Sequence, residues 1–270
     1  MLPLPGTEKR VIFPAASAMP VWIYQPAKVV TPARLIVAVH GISREYEQQL
    51  VAYKRLADQF GCWLVVPEFS RDAFPRYQQL AKDASSQRAD TELNTVFLAL
   101  KAQLQQPFLK MHLCGYSGGA QFAHRYALLY PQNIESLVLC SAGWYTFPDQ
   151  QVEFPYGLAK WPAWLGKLRL TEMLSLPTLV MVGESDLKRE KSLRKSKALD
   201  AQQGRNRVER AASWVTAMNK QRHKLTGENV RFSLLPEVGH DFKASAEAGE
   251  MMTQIEAFWN EIGREKVCVA

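Results

Sequence analysis

Four short stretches of this 270-residue chain carry residue types that acyl-transfer chemistry needs. In Met111-His112-Leu113-Cys114-Gly115-Tyr116-Ser117-Gly118-Gly119-Ala120 an apolar run stops at Gly-x-Ser-x-Gly, and a helical pattern (Phe122, Tyr126, Leu129) follows at once. A strand that turns so sharply into a helix presents one side chain at its apex, and small neighbours let the backbone pass. Ser117 is therefore the candidate nucleophile. His40-Gly41-Ile42 follows the run Leu35–Val39. A tight loop there can aim a backbone N–H at a developing oxyanion, with Ile42 the favoured donor, Gly41 the alternative and Gly118 the second donor. Gly183-Glu184-Ser185-Asp186 ends another apolar run and offers a carboxylate, Asp186 before Glu184, to orient an imidazole. Gly239-His240-Asp241-Phe242 offers that imidazole as a base able to take the Ser117 proton and return it to a leaving group.

The elements that must position these residues are legible from hydrophobic pattern. Arg10–Phe13 and Val21–Tyr24 read as short strands. Leu35–Val39, Cys62–Val66, the run entering Ser117, Ile134–Ser141, Thr178–Val182 and Arg231–Leu235 read as six more, several of them unbroken apolar runs typical of strands covered on both faces. Helical spacing predicts helices over about Tyr46 to Phe60, Ser86 to Gln105, the stretch after Ser117 to about Tyr130, and Ser245 to Ile262. Strands alternating with helices predict an α/β fold: a largely parallel sheet with helices on both faces, in one domain over residues 1–270.

Composition narrows the class. With 47% hydrophobic and 22% charged residues the chain reads as globular, and no apolar run approaches the roughly 18 residues that span a bilayer. The start, Met1-Leu2-Pro3-Leu4-Pro5-Gly6, has neither a basic leader nor an apolar signal core, so the expectation is a cytoplasmic protein. Cys62, Cys114 and Cys140 fall in strand-like runs and Cys268 in the tail, without zinc or redox spacing, so buried free thiols are expected. The formal charge of +7 is uneven. Residues 187–224 hold twelve Lys and Arg against Glu190, Asp200 and Glu209, and the rest of the chain is slightly acidic. Within that segment Val208, Ala211, Ala212, Val215 and Met218 form one apolar stripe, so a docked helix with a solvated basic face explains it. The sharper alternative is steering of an anionic substrate or acidic partner. Nucleic acid is not expected, since no recognition motif accompanies the charge.

Taken together, His40-Gly41, Gly115-Tyr116-Ser117-Gly118-Gly119, Gly183-Glu184-Ser185-Asp186 and Gly239-His240 resemble the α/β-hydrolase superfamily over about Leu35 to Ile262. The order Ser, Asp, His along the chain is the order of that fold. The resemblance implies an eight-stranded, mostly parallel sheet, with Ser117 as nucleophile, Asp186 as acid and His240 as base, and with no metal or organic cofactor. Two segments depart from the simplest pattern. Residues 143–172 are dense in aromatics and too short for a helical cap, which is most similar to small-lidded esterases and polyester depolymerases. Trp144, Tyr145 and Trp161, with Tyr116, are the expected pocket wall, against the plainer reading of a packed surface loop. The basic insertion puts 54 positions between Asp186 and His240, which loosens the choice of acid. His40 is expected to orient the oxyanion loop, His112 and His124 to be structural, and His223 to face solvent. The function expected is hydrolysis of a small-molecule carboxylic ester through an acyl-enzyme. Action on amides, thioesters or carbon–carbon bonds, acyl transfer, and a binding module without turnover remain the alternatives.

Overall fold

A computed structural model describes residues 1–107, 109–223, 225 and 229–269. Lys224, the last residue of the basic segment, lies outside the described residues, and so does the side chain of Cys268. The chain runs β1 (Thr7–Val11), β2 (Val21–Gln25), β3 (Leu35–Val39), α1 (Tyr46–Phe60), β4 (Trp63–Pro67), α2 (Ala89–Gln103), β5 (Met111–Tyr116), α3 (Gly118–Ala127) and β6 (Ile134–Cys140). It continues through α4 (Leu170–Leu174), β7 (Thr178–Gly183), α5 (Lys197–Gln203), α6 (Arg207–Arg222), β8 (Arg231–Leu235), α7 (Phe242–Glu247) and α8 (Met251–Val269).

The eight strands form one sheet in the order β1-β2-β4-β3-β5-β6-β7-β8. β2 pairs antiparallel with β1 and β4, and all other pairs are parallel. The apolar runs become interior strands because both of their faces are covered. Along β3, Leu35, Val37 and Val39 join one core cluster with α2, α3 and α6, while Ile36 and Ala38 join a second with α1 and α8. Burial of every residue in β3, β4, β5 and β7 follows from that arrangement. Among the described residues no helix is long and apolar enough to cross a membrane.

Three expectations need correction. The first strand is Thr7–Val11 and not Arg10–Phe13, pairing Thr7 with Gln25 and Val11 with Val21. It is an exposed edge strand whose charged residues give no apolar pattern, and Phe13 instead tucks into the core before a short turn of helix at Pro14–Ala16. The last helix is two helices: the amides of Ala248 and Gly249 both return to the Ala244 carbonyl, and Glu250 takes φ of 59°, so the chain turns between α7 and α8. Finally, α6 is not simply a solvated basic helix. Asn206 caps it by accepting from the Glu209 amide at 2.9 Å, and its buried face carries Arg207, Arg210, Trp214, Met218 and Arg222.

Candidate active site

At the end of β5 the chain reverses direction within one residue. Ser117 has φ of 53° and ψ of −110°, its amide donates to the Cys140 carbonyl at 2.8 Å, and α3 begins at Gly118. Holding a non-glycine residue there costs on the order of 1–3 kcal/mol. The surrounding packing leaves no room for side chains on the inner side of the turn. A Cβ on Gly119 would lie 2.0 Å from the Val39 carbonyl oxygen, and one on Gly115 would lie 2.3 Å from the Gly119 carbonyl carbon. Gly119→Ala is accordingly expected to lose about 3 kcal/mol or more, because backbone and not a flexible side chain stands in the way. Gly239→Ala, whose Cβ meets nothing nearer than 3.7 Å, serves as the tolerated control. Urea midpoints compare them directly, and equal losses would mean that the elbow is looser than its geometry.

Three loops at the carboxyl ends of β5, β7 and β8 bring together side chains far apart in sequence. His240 Nε2 lies 3.0 Å from Ser117 Oγ, and His240 Nδ1 lies 2.8 Å from Asp186 Oδ2. The carboxylate only accepts, so Nδ1 carries the proton and Nε2 of the neutral ring faces the serine hydroxyl as an acceptor. Asp186 is buried, whereas Glu184 is exposed. The second Asp186 oxygen accepts from Arg207 Nη1 at 3.0 Å in an ion pair buried on both sides. Arg207 Nη2 also donates to Ser192 Oγ at 3.2 Å. Helix α6 therefore braces the carboxylate from behind, which sequence reasoning missed. The available signal was the spacing of Arg207, Arg210, Trp214 and Met218, which puts two arginines on the stripe of a buried tryptophan.

The loop after β3 is fixed from several sides. His40 Nδ1 donates to the Gly41 carbonyl at 2.8 Å, and its Nε2 accepts from the Phe69 amide at 3.2 Å. Burial pushes the His40 pKa down to about 4, so the ring is a neutral strut for this loop. Tyr77 Oη donates to the His40 carbonyl at 2.7 Å, and Arg44 reaches the carbonyls of Ile42, Phe69 and Phe74. Tyr77 and Arg44 are further positioning residues that the sequence did not reveal. The loop lies tight against the elbow: a Cβ on Gly118 would sit 3.1 Å from the Ile42 amide nitrogen and 2.7 Å from Tyr77 Oη. Gly41 packs beside Ser117, 3.6 Å from its Cβ by the same construction.

A cavity of about 650 Å³ opens over these groups, lined by Ser117, His240, Ile42, Tyr116, Gln48 and Phe242 among others. Tyr116 stacks on the His240 ring at 5.4 Å and meets Phe242 edge-on at 5.2 Å, so it forms a wall of this cavity. The other three expected wall residues are elsewhere. Trp144 and Tyr145 are buried, with Trp144 against Tyr156 and Tyr145 stacked on Trp214, while half-buried Trp161 meets Phe154. None of the three lines the cavity. The aromatics between 143 and 172 satisfy one another and α6 (Trp214 Nε1 donates to the Thr146 carbonyl at 2.9 Å), and so build a packed loop in place of a pocket wall.

Charge at the cavity also differs from expectation. Among the described residues Ser192 is the one member of segment 187–224 in its lining, and the acidic and basic side chains there are Glu45, Asp241, Lys243 and Glu247 beside His240. The segment's arginines are partly spent inside the protein: Arg207 on Asp186, Arg210 and Arg189 on Asp200, and Arg222 on the Leu176 carbonyl. The remaining motif residues have structural partners. His112 Nδ1 lies 2.8 Å from Ser136 Oγ. Buried His124 donates to the Ala120 carbonyl and accepts from the Thr146 amide, and burial holds its pKa well below the usual value. His223 is exposed at the end of α6. Burial raises the thiols of Cys62 and Cys140 to about 12 and that of Cys114 higher still, which disfavours a reactive thiolate at these positions. Among the described residues no group of three or more His, Cys, Asp or Glu is placed to hold a metal ion.

No family model and no curated protein matches the chain. Solved structures do. Poly(aspartic acid) hydrolase-1 from Sphingomonas sp. KT-1 superposes with a TM-score of 0.76 at 22% identity, over 92% of this chain and 98% of that one. A poly(3-hydroxybutyrate) depolymerase from Bordetella parapertussis gives 0.73 at 20% identity, covering 92% and 90%. An S-formylglutathione hydrolase from Agrobacterium tumefaciens gives 0.58 at 14%, covering 93% of both. At these identities the likeness is one of fold.

Proposed function

We propose, from the α/β-hydrolase fold that the chain adopts, that residues 1–270 form one serine hydrolase domain cleaving a neutral carboxylic ester through an acyl-enzyme. The observation that carries this reading is the unbroken line Ser117 Oγ, His240 Nε2, His240 Nδ1, Asp186 Oδ2, at 3.0 and 2.8 Å, opening onto a cavity. In the proposed reaction Ser117 Oγ attacks the ester carbonyl carbon while His240 Nε2 takes its proton. The carbonyl oxygen, now negative, is held by the amides of Ile42 and Gly118, each contributing about 3 kcal/mol to the transition state. Collapse of this intermediate breaks the carbon–oxygen bond, and the imidazolium returns its proton to the departing alkoxide. A water molecule then attacks the acyl-enzyme, giving its proton to His240, and Ser117 is regenerated as the acid leaves.

A neutral ester is favoured over the anionic substrate suggested by the basic segment, because carboxylates outnumber Lys243 at the cavity wall. The same electrostatics would repel an anion at short range. A fluorophosphonate probe tests the assignment. It should label the folded protein once, at Ser117, and labelling should extinguish hydrolysis of p-nitrophenyl acetate in step with its stoichiometry. Folded protein that takes up no label would mark the cavity as a binding site without a working nucleophile.

A further inference from the structure

A second cavity of about 650 Å³ adjoins the one over Ser117. Both are lined by Gln48, Phe242, Lys243 and Glu247, so they are two lobes of one cleft that meet between α1 and α7. The outer lobe follows one face of α1, where Gln48, Val51, Ala52 and Arg55 recur at helical spacing. Facing it are Phe242 and Ala246 of α7 and Met252 of α8. Arg55 lies seven residues after Gln48 along the helix, which makes the lobe about 10 Å long. Its far end is bounded by the ion pair of Arg55 with Glu256 at 3.0 Å. The floor is apolar, and the rim carries Glu47 and Glu247 against Arg55 and Lys243, two charges of each sign. Val51 stands 71% exposed on this wall, an aliphatic side chain with little covering it.

The side of the catalytic groups on which this lobe opens decides what it holds. It begins at Phe242, two residues after His240, with Tyr116 touching both rings, stacked on His240 and edge-on to Phe242. An imidazole that hands its proton to the leaving oxygen must stand beside that oxygen, so the alcohol half of an ester departs on the His240 side. We infer that the α1–α7 groove is the binding site for the alcohol half of the substrate, and that it takes an uncharged aliphatic chain of about eight carbons. This rests on the ester-hydrolase reading given above. The apolar floor supplies the affinity, and the balanced rim gives an ionic group no advantage.

Val51→Asp puts a carboxylate on the exposed apolar wall, and Ala246→Asp does so from the facing helix. In wild-type protein octyl acetate should have the higher kcat/KM relative to ethyl acetate. That ratio should fall about tenfold in each variant, and the ratio of ethyl octanoate to ethyl acetate should not follow it. Equal octyl-to-ethyl ratios in the three proteins would overturn the inference, and so would a loss borne by the octanoyl chain instead. Saturation-transfer NMR with 1-octanol needs no turnover. Contact that weakens in V51D supports the groove, and undiminished contact overturns it. A folded protein that hydrolyses none of the esters but binds octanol in this way would refute the hydrolase reading and leave the binding site standing.

Discussion

Ser117→Ala is expected to lower kcat for p-nitrophenyl acetate by about 10⁶-fold while leaving a folded, cooperative protein. The hydroxyl removed is the atom that would bond to the acyl carbon. Buried Cys140 beside the elbow has a thiol pushed up to about 12 by burial. The stability cost should be small. Alanine keeps the backbone at the same unfavourable φ and gives up one hydrogen bond to His240, a loss of about 1 kcal/mol. Ser117→Gly separates the two effects. Glycine adopts φ of 53° freely, so this variant should be as inactive as the alanine form and melt at least as high. Single-turnover assays with melting curves are the measurement. Turnover by Ser117→Ala within a hundredfold of wild type would remove the serine from the reaction.

Asp186→Asn should lower kcat by about 10⁴-fold, and the reason lies in Arg207. An asparagine at 186 has one oxygen and one NH₂ to offer to two neighbours. Arg207 only donates, at 3.0 Å, so the amide oxygen must turn toward it. The NH₂ then faces His240 Nδ1, which becomes an acceptor. Its proton moves to Nε2, pointing at Ser117, and the ring no longer accepts the hydroxyl proton. In a protein without such an arginine the amide could rotate to retain the productive tautomer. The variant also leaves a buried guanidinium without its carboxylate, and breaking such a pair costs about 3–5 kcal/mol. Rates must therefore be normalised to folded protein, by circular dichroism or active-site titration. Folded Asp186→Asn within tenfold of wild type would sink the orienting role of the carboxylate.

The layout of strands and helices was legible because burial on both faces leaves a plain mark. The run Leu35–Val39 coincides with its strand to the residue, as does the half-exposed edge strand Arg231–Leu235 from its alternating pattern, and α1 runs from Tyr46 to Phe60 as its apolar stripe and Gly61 stop predict. Ser117, His240 and Asp186 were legible for a related reason, each following a strand at the same edge of the sheet. The break between α7 and α8 was not, since an isolated glycine in a helical pattern usually interrupts nothing. The cleft was also hidden. Its walls come from α1 on one side and from α7 and the start of α8, nearly 200 positions on, on the other, and no single stretch of sequence marks it. Aromatic density pointed instead to 143–172, where the rings bury one another. Arginines on α6 were read as solvated because charge normally is. Arg207, Arg210 and Arg222 are buried instead, and Arg207 stands apart because its charge is met by the carboxylate of Asp186.

That exception ties the long insertion to the fate of the chemistry. Any attempt to shorten the chain to its simplest scaffold by deleting residues 187–224 would take away the cation that keeps company with a water-excluded anion. Truncation would then be felt at Ser117, three partners away, as well as by the sheet face that α6 covers. Transplanting the acid into a sister scaffold should succeed only when the helix that carries its counterion travels with it.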